Sequence, residues 1–265
     1  MFTKIRRNLA LYGALGTFET QLVRLARATY PRIFRRHGTP SLQEFNGAGE
    51  ISETTNQVIE KVLGLSVTST QTDALRSEYR AILAEIAEAQ KNRSFFFPSN
   101  YAVGSESGYL IYSLVRLLEP RVVVETGIAN GLSTFIVLRA IGRNGVGLLV
   151  STDVHEKAGG LVEHIEPNSW RREILRATDV RQDMELLLAS LPAVDMFLHD
   201  SDHRYDWQLW EYRAARRHLQ SGAILASDDV DASFAFIDFC REVNRRPVFL
   251  FDRRKMFGVV RLHED

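Results

Sequence analysis

Four acidic residues lie just past apolar runs: Glu125 after Val122-Val123-Val124, Asp153 after Leu148-Leu149-Val150, Asp200 after Met196-Phe197-Leu198, and Asp228 after Ala223-Ile224-Leu225. In an open parallel sheet the carboxyl ends of the strands line the ligand crevice, so four acids so placed face one site. The first opens the series Glu125-Thr126-Gly127-Ile128-Ala129-Asn130-Gly131-Leu132-Ser133. Gly127 and Gly131 remove Cβ atoms where a ligand would approach the backbone. The first amides of the following helix and the Ser133 hydroxyl point into the turn. A carboxylate at this strand end repels phosphate but can hold an ammonium group, directly or through water. A pyrophosphate turn would read G-x-G-x-x-G, with glycine in the place of the acid. The order Glu-x-Gly-x-x-x-Gly-x-Ser therefore favours an amino-acid-bearing nucleoside over a dinucleotide. Asp153 can accept from both ribose hydroxyls, and Asp179 from an adenine amino group. The competing readings are a plain βα turn with two incidental glycines, and helix caps for the two aspartates.

These residues need a scaffold of alternating strands and helices. Val122-Val123-Val124 reads as a strand buried on both faces, and Leu132, Phe135, Ile136 and Ala140 follow at helical spacing. Further strands are expected over 147–153, 172–177, 195–200 and 222–228, with a terminal pair over 247–251 and 256–262. The four residues joining that pair are too few for a crossover, so its members must be antiparallel. The expectation is an α/β, Rossmann-like, mostly parallel seven-stranded sheet with an antiparallel seventh strand, plus an N-terminal helical appendage. Residues 1–94 are assigned to the appendage and 95–265 to the sheet domain. Within the former, basic amphipathic helices are expected before residue 38, a loop around Gly38-Thr39-Pro40 and Asn46-Gly47-Ala48-Gly49, and a helix over 72–91. A polar loop over 99–108, ahead of a helix over 109–118, could close over the ligand.

The order of Glu125, Gly127, Gly131 and Ser133, then Asp153, Asp200-Ser201-Asp202-His203 and Ser227-Asp228-Asp229, resembles the class I S-adenosylmethionine-dependent methyltransferases. Within these it is similar to the small-molecule and sugar O-methyltransferases, over roughly residues 95 to 262. The resemblance implies that Glu125, Thr126, Gly127, Gly131 and Ser133 surround the methionine part of the cofactor, with Asp153 at the ribose. It also implies a divalent ion, magnesium by its preference for hard oxygen ligands, held by Asp200, Asp228 and Asp229. The ion would lower the pKa of the acceptor hydroxyl and fix its oxygen in line with the sulfonium methyl. His203 resembles a general-base position that often carries lysine, and a histidine suits proton removal near neutrality. Asp202 is a competing base or ligand, and Asp231 extends the acidic cluster. His199, Trp207 and Trp210 read as core residues, while Tyr205 could stack on a sugar or aromatic ring.

The chain has 265 residues, 45% hydrophobic and 25% charged, with zero formal net charge, which suits an ordinary globular protein. The first 40 positions hold eight Lys or Arg against one acid, Glu19, leaving the rest of the chain mildly acidic. That balance, with no basic stripe over the fold, argues against nucleic acid as a partner. The arm is read as a cover for the domain or for a second copy in a homo-oligomer; a surface helix resting on anionic membrane is the sharper alternative. The basic start faintly resembles a signal peptide, but Glu19 and Arg24 interrupt it, and a single cysteine, Cys240, fits a reducing cytoplasm. The function expected is S-adenosylmethionine-dependent O-methylation of a hydroxylated small-molecule acceptor, assisted by magnesium. A hydroxylase-like enzyme, a nicotinamide-dependent oxidoreductase and a non-catalytic binding module remain alternatives on the same fold.

Overall fold

A computed structural model describes residues 38–91, 94–98, 103–163, 167–176, 178–252 and 255–262. The expected basic helices before residue 38, with their membrane reading, lie outside the described residues. The elements are α1 (Leu42–Ala48), β1 (Glu50–Ser52), α2 (Thr55–Leu63), α3 (Ser69–Gln90), α4 (Ser105–Leu118), β2 (Val122–Thr126), α5 (Leu132–Asn144) and β3 (Leu148–Asp153). There follow β4 (Trp170–Ile174), α6 (Val180–Ser190), β5 (Val194–His199), α7 (Tyr205–Arg216), β6 (Leu219–Ser227), α8 (Ala235–Glu242), β7 (Val248–Asp252) and β8 (Lys255–Arg261).

The strands form one sheet in the order β1-β7-β8-β6-β5-β2-β3-β4. All neighbours are parallel except β8, which runs antiparallel to both β6 and β7. The expected Rossmann-like sheet and its reversed last strand are thus present. The number of strands is corrected from seven to eight, because β1 pairs with the outer edge of β7 through Glu50↔Val248, Ile51↔Phe249 and Ser52↔Leu250. Three residues are too short to carry a readable period, and glycines on their N-terminal side suggested a loop. That loop is also corrected: Gly47 lies inside α1, where the Ser41 amide donates to Glu44 Oε2 at 2.7 Å and Phe45 is buried against Phe249. Residues of 42–90 therefore pack on the sheet and contribute to its core.

Period two along β2 decides the layering. Val123 joins Ile82, Leu110 and Ile136 on the face covered by α2, α3, α4 and α5, whereas Val122 and Val124 join Met184, Tyr212 and Phe239 on the face of α6, α7 and α8. Each fully buried Val or Leu side chain contributes roughly 1.5–3 kcal/mol, so two such layers hold the strand ends in place. Residues 105–108, expected in a loop, are the first turn of α4. Their amides are capped from another strand: Asp252 Oδ2 accepts from Glu106 N at 2.9 Å and Ser107 N at 2.8 Å. Helix α3 starts three residues earlier than its apolar period suggested, because Thr68 and Gln71 form a capping box. Among the described residues, no helix is long and apolar enough to cross a membrane.

Candidate active site

The chain leaves β2 for β3 and β4 on one side, then returns to β5 on the other, which makes the C-terminal ends of β2 and β5 the switch point of the sheet. Main-chain bonds carry the ladder into the turns. Gly127 N donates to Thr152 O at 2.9 Å, Asp200 N to Thr126 O at 2.8 Å, and Asp228 N to His199 O at 3.0 Å. All four strand-end acids are thereby set on adjacent strands, in the order β6-β5-β2-β3. Gly127 has φ 86°, and a Cβ on it would lie 2.0 Å from the Asp200 carbonyl oxygen. Its freedom serves the close approach of two turns. Gly131, with φ 91°, opens α5 against Val162 and Gly159.

Glu125 is fully buried; its Oε2 accepts from Thr134 Oγ1 and Ser151 Oγ, each at 2.7 Å, while Oε1 has no partner. Burial pushes its pKa up, against the hydroxyls of Ser133, Ser151 and Thr134. The orphaned oxygen is a buried acceptor fit for an ammonium group. Thr126 faces elsewhere: its hydroxyl donates to Glu211 Oε2 at 2.9 Å. Asp153 Oδ2 accepts from the amides of Ile128 (3.0 Å) and Ala129 (3.1 Å), and Oδ1 from His155 N (2.9 Å), so this acid also holds the turn after β2 in shape. Asp179 sits exposed in the turn ahead of α6, its amide bonded to Arg176 O.

A cavity of about 220 Å³ opens at this switch point, lined among others by Phe95, Phe97, Ile128, Asn130, Ser133 and Asp200. Its outer wall is tied to the turn by Asn130, whose amide accepts from Phe97 N at 3.1 Å and donates to Phe97 O at 2.8 Å.

Beside the cavity, His203 stands between two carboxylates: Nε2 is 3.6 Å from Asp200 Oδ1 and Nδ1 is 3.5 Å from Asp229 Oδ2. Burial works against its charge, but Asp200 and Asp229 outweigh it and raise the imidazole pKa. Asp200 is raised by burial, against His203 and Lys255. Asp202 is bound to the Arg204 guanidinium at 2.7 Å; despite partial burial, that partner holds it below the usual carboxylate range. Tyr205 is turned to α8, with its hydroxyl 3.1 Å from Asp238 Oδ2. His199 is buried, as expected, and Cys240 is buried with its thiol pKa pushed up by that burial.

Of the three acids expected around magnesium, Asp200 and Asp229 stand together with His203, while Asp228 is paired with Lys255. The ligand atoms of Asp200, His203 and Asp229 lie within 4.8 Å of one another, but Asp228 is turned to a cation, with Oδ2 2.5 Å from Lys255 Nζ. Lys255 also reaches Asp229 Oδ2 at 3.4 Å. The cluster is thus two carboxylates with an imidazole between them, beside the Lys255 ammonium group.

Residues 124–230 match the family profile described as a methyltransferase domain. Over that stretch the chain is similar to a methyltransferase domain. Solved structures agree in fold. The O-methyltransferase TomG from Streptomyces achromogenes, in complex with S-adenosylmethionine, is 19% identical with a TM-score of 0.53, over 69% of this chain and 90% of that one. An O-methyltransferase from Bacillus cereus with S-adenosylhomocysteine is 17% identical with a TM-score of 0.51, over 78% and 96%. The S-adenosylhomocysteine-bound methyltransferase PaMTH1 of Podospora anserina is 12% identical with a TM-score of 0.54, over 76% and 98%. No curated protein matches the sequence.

Two residues near this site gave no usable signal in sequence. Lys255 falls in a short basic turn, Asp252-Arg253-Arg254-Lys255, indistinguishable there from a solvated hairpin end. Glu211 lies mid-helix among surface-like charges, yet is buried and accepts from Thr126, Ser201 and Trp207 while facing His199.

Proposed function

We propose that this protein transfers the methyl group of S-adenosylmethionine to a hydroxyl of a small molecule, a sugar or a secondary metabolite. The observation that carries the reading is the cavity at the β2/β5 switch point, bounded by the turn after Glu125 and by Asp200. Glu125, through its orphaned Oε1, would take the cofactor ammonium group, with Gly127, Gly131, Ser133 and the first amides of α5 around the methionine part. Thr126 would support that wall from the core. Asp153 would keep its remaining lone pairs for the ribose hydroxyls, and Asp179 would meet the adenine amino group.

In the reaction the acceptor oxygen attacks the sulfonium methyl, the carbon–sulfur bond breaks, and a methyl ether and S-adenosylhomocysteine result. The hydroxyl proton passes to His203, which Asp200 and Asp229 hold from both sides. Asp202 is the weaker candidate base, because its ion pair with Arg204 lowers its basicity. Asp200 acts by orienting His203 and closing the cavity. No step is routed through magnesium, since Asp228 is engaged by Lys255. The single buried cysteine suits a cytoplasmic setting.

Isothermal titration of the full chain with S-adenosylhomocysteine, once with magnesium and once with EDTA, tests the reading. Equal binding in both is expected; absence of binding in both would overturn it.

A further inference from the structure

Resting on the methyl-transfer reading, we propose that Lys255 takes the place of a divalent ion: its ammonium group is the built-in counter-charge of the acidic cluster, and methyl transfer proceeds without metal. Asp228 is 1% exposed and Asp229 27%, and a buried carboxylate needs a partner cation. Lys255 Nζ supplies it at 2.5 and 3.4 Å, from a side chain only 21% exposed. A metal ligated by Asp228 and Asp229 would have to sit where the ammonium now lies, and the two cations would repel in a poorly solvated site.

The backbone that carries the lysine is held against the acidic loop. The residue after it, Met256, is fastened on both sides to the acidic loop: Val230 N donates to Met256 O at 3.0 Å, and Met256 N donates to Asp231 Oδ1 at 3.1 Å. On the far side Asp252 pairs with Lys255 in the β7–β8 ladder. Backbone geometry therefore delivers the ammonium to the carboxylates.

The consequence for the chemistry is one of positioning. Lys255 acts through Asp228 and Asp229, neutralising part of their charge so that a hydroxyl can lose its proton to His203 nearby without facing uncompensated carboxylates. Lys255 remains protonated throughout. Proton and methyl balance as in the reaction above, and no further reactant is required.

The test is binding of manganese, read by the loss of its free-ion paramagnetic resonance signal, in the wild-type chain and in Lys255→Met. Both proteins are also titrated with S-adenosylhomocysteine. Wild type is expected to leave the ion free, while K255M, with its carboxylates released, binds it about tenfold or more tighter. K255R, which keeps the charge, should behave as wild type. Stoichiometric manganese binding by wild type, displaced by magnesium, would overturn the proposal. So would a K255M protein that retains cofactor binding and gains no affinity for the ion. If K255M does not fold, the wild-type measurement still decides. Failure of wild type to bind S-adenosylhomocysteine would instead remove the methyl-transfer reading, and the manganese result would stand apart from it.

Discussion

Glu211 Oε2 and His199 Nδ1 meet at 2.5 Å, with the side chains 2% and 0% exposed. The same carboxylate accepts from the Thr126 hydroxyl at 2.9 Å, the Ser201 hydroxyl at 2.9 Å and the Trp207 indole at 2.8 Å. One buried group thus joins the ends of β2 and β5, helix α7 and the turn that carries Asp200 and His203. Glu211→Ala should destabilise the fold by about 3 kcal/mol, because it strands several buried donors at once. Glu211→Gln should cost less but still lower kcat. Urea denaturation and turnover check both; unchanged stability in E211A would show that the network holds nothing.

Cofactor affinity should depend on pH through Glu125. Burial raises its pKa above the ordinary carboxylate value. An ammonium group is attracted by the ionised form only, so affinity is full above the raised pKa and is lost as pH falls through it. Titration with S-adenosylhomocysteine from alkaline to mildly acid pH should therefore show weakening toward acid, and Glu125→Gln should flatten the curve at the weak end. A pH-independent wild-type affinity would detach Glu125 from the cofactor.

Gly127→Ala should be far more damaging than Gly131→Ala. The new Cβ would lie 2.0 Å from the Asp200 carbonyl oxygen in the first case, and no closer than 3.1 Å to its neighbours, at Val162, in the second. Both also carry a left-handed φ, a cost of about 1–2 kcal/mol for a non-glycine residue. Denaturant midpoints should separate the two variants, with the turn at Asp200 displaced only in G127A. Equal losses would mean that the clash is relieved elsewhere.

Asp153→Ala removes the acceptor for the amides of Ile128 and Ala129 as well as the proposed ribose partner. Binding of S-adenosylhomocysteine should weaken by about 1–3 kcal/mol, the cost of unmade hydrogen bonds to a charged group. Affinity equal to wild type, measured by calorimetry, would remove Asp153 from the cofactor site.

His203→Ala should lower kcat by about 10² or more while leaving cofactor affinity nearly unchanged, the signature of a lost general base. Asp202→Asn should have a much smaller effect. If the order of the two were reversed, Asp202 would be the base in spite of its pairing with Arg204.

The repeating parts of this protein were legible in its residues. Val122-Val123-Val124 and the other apolar runs announce buried strands, and helical spacing from Leu132 onward announces α5, because side-chain periodicity is a local property of the chain. The acids at the strand ends could be placed beside one another for the same reason, once a parallel sheet was inferred. Elements held by distant partners were not legible. Strand β1 exists because the edge of β7 accepts it, and the first turn of α4 because Asp252 caps it from a strand some 145 positions away. What the sequence by itself determined is the class of fold and the set of acids at the crevice. Only the tertiary structure decided what the residues at those strand ends face: Thr126 turned to Glu211, Gly127 packed on Asp200, and Asp228 paired with Lys255. Charge pairing and burial depend on distances through space, and those are set by how the hairpin of β7 and β8 closes on the sheet, not by spacing along the chain.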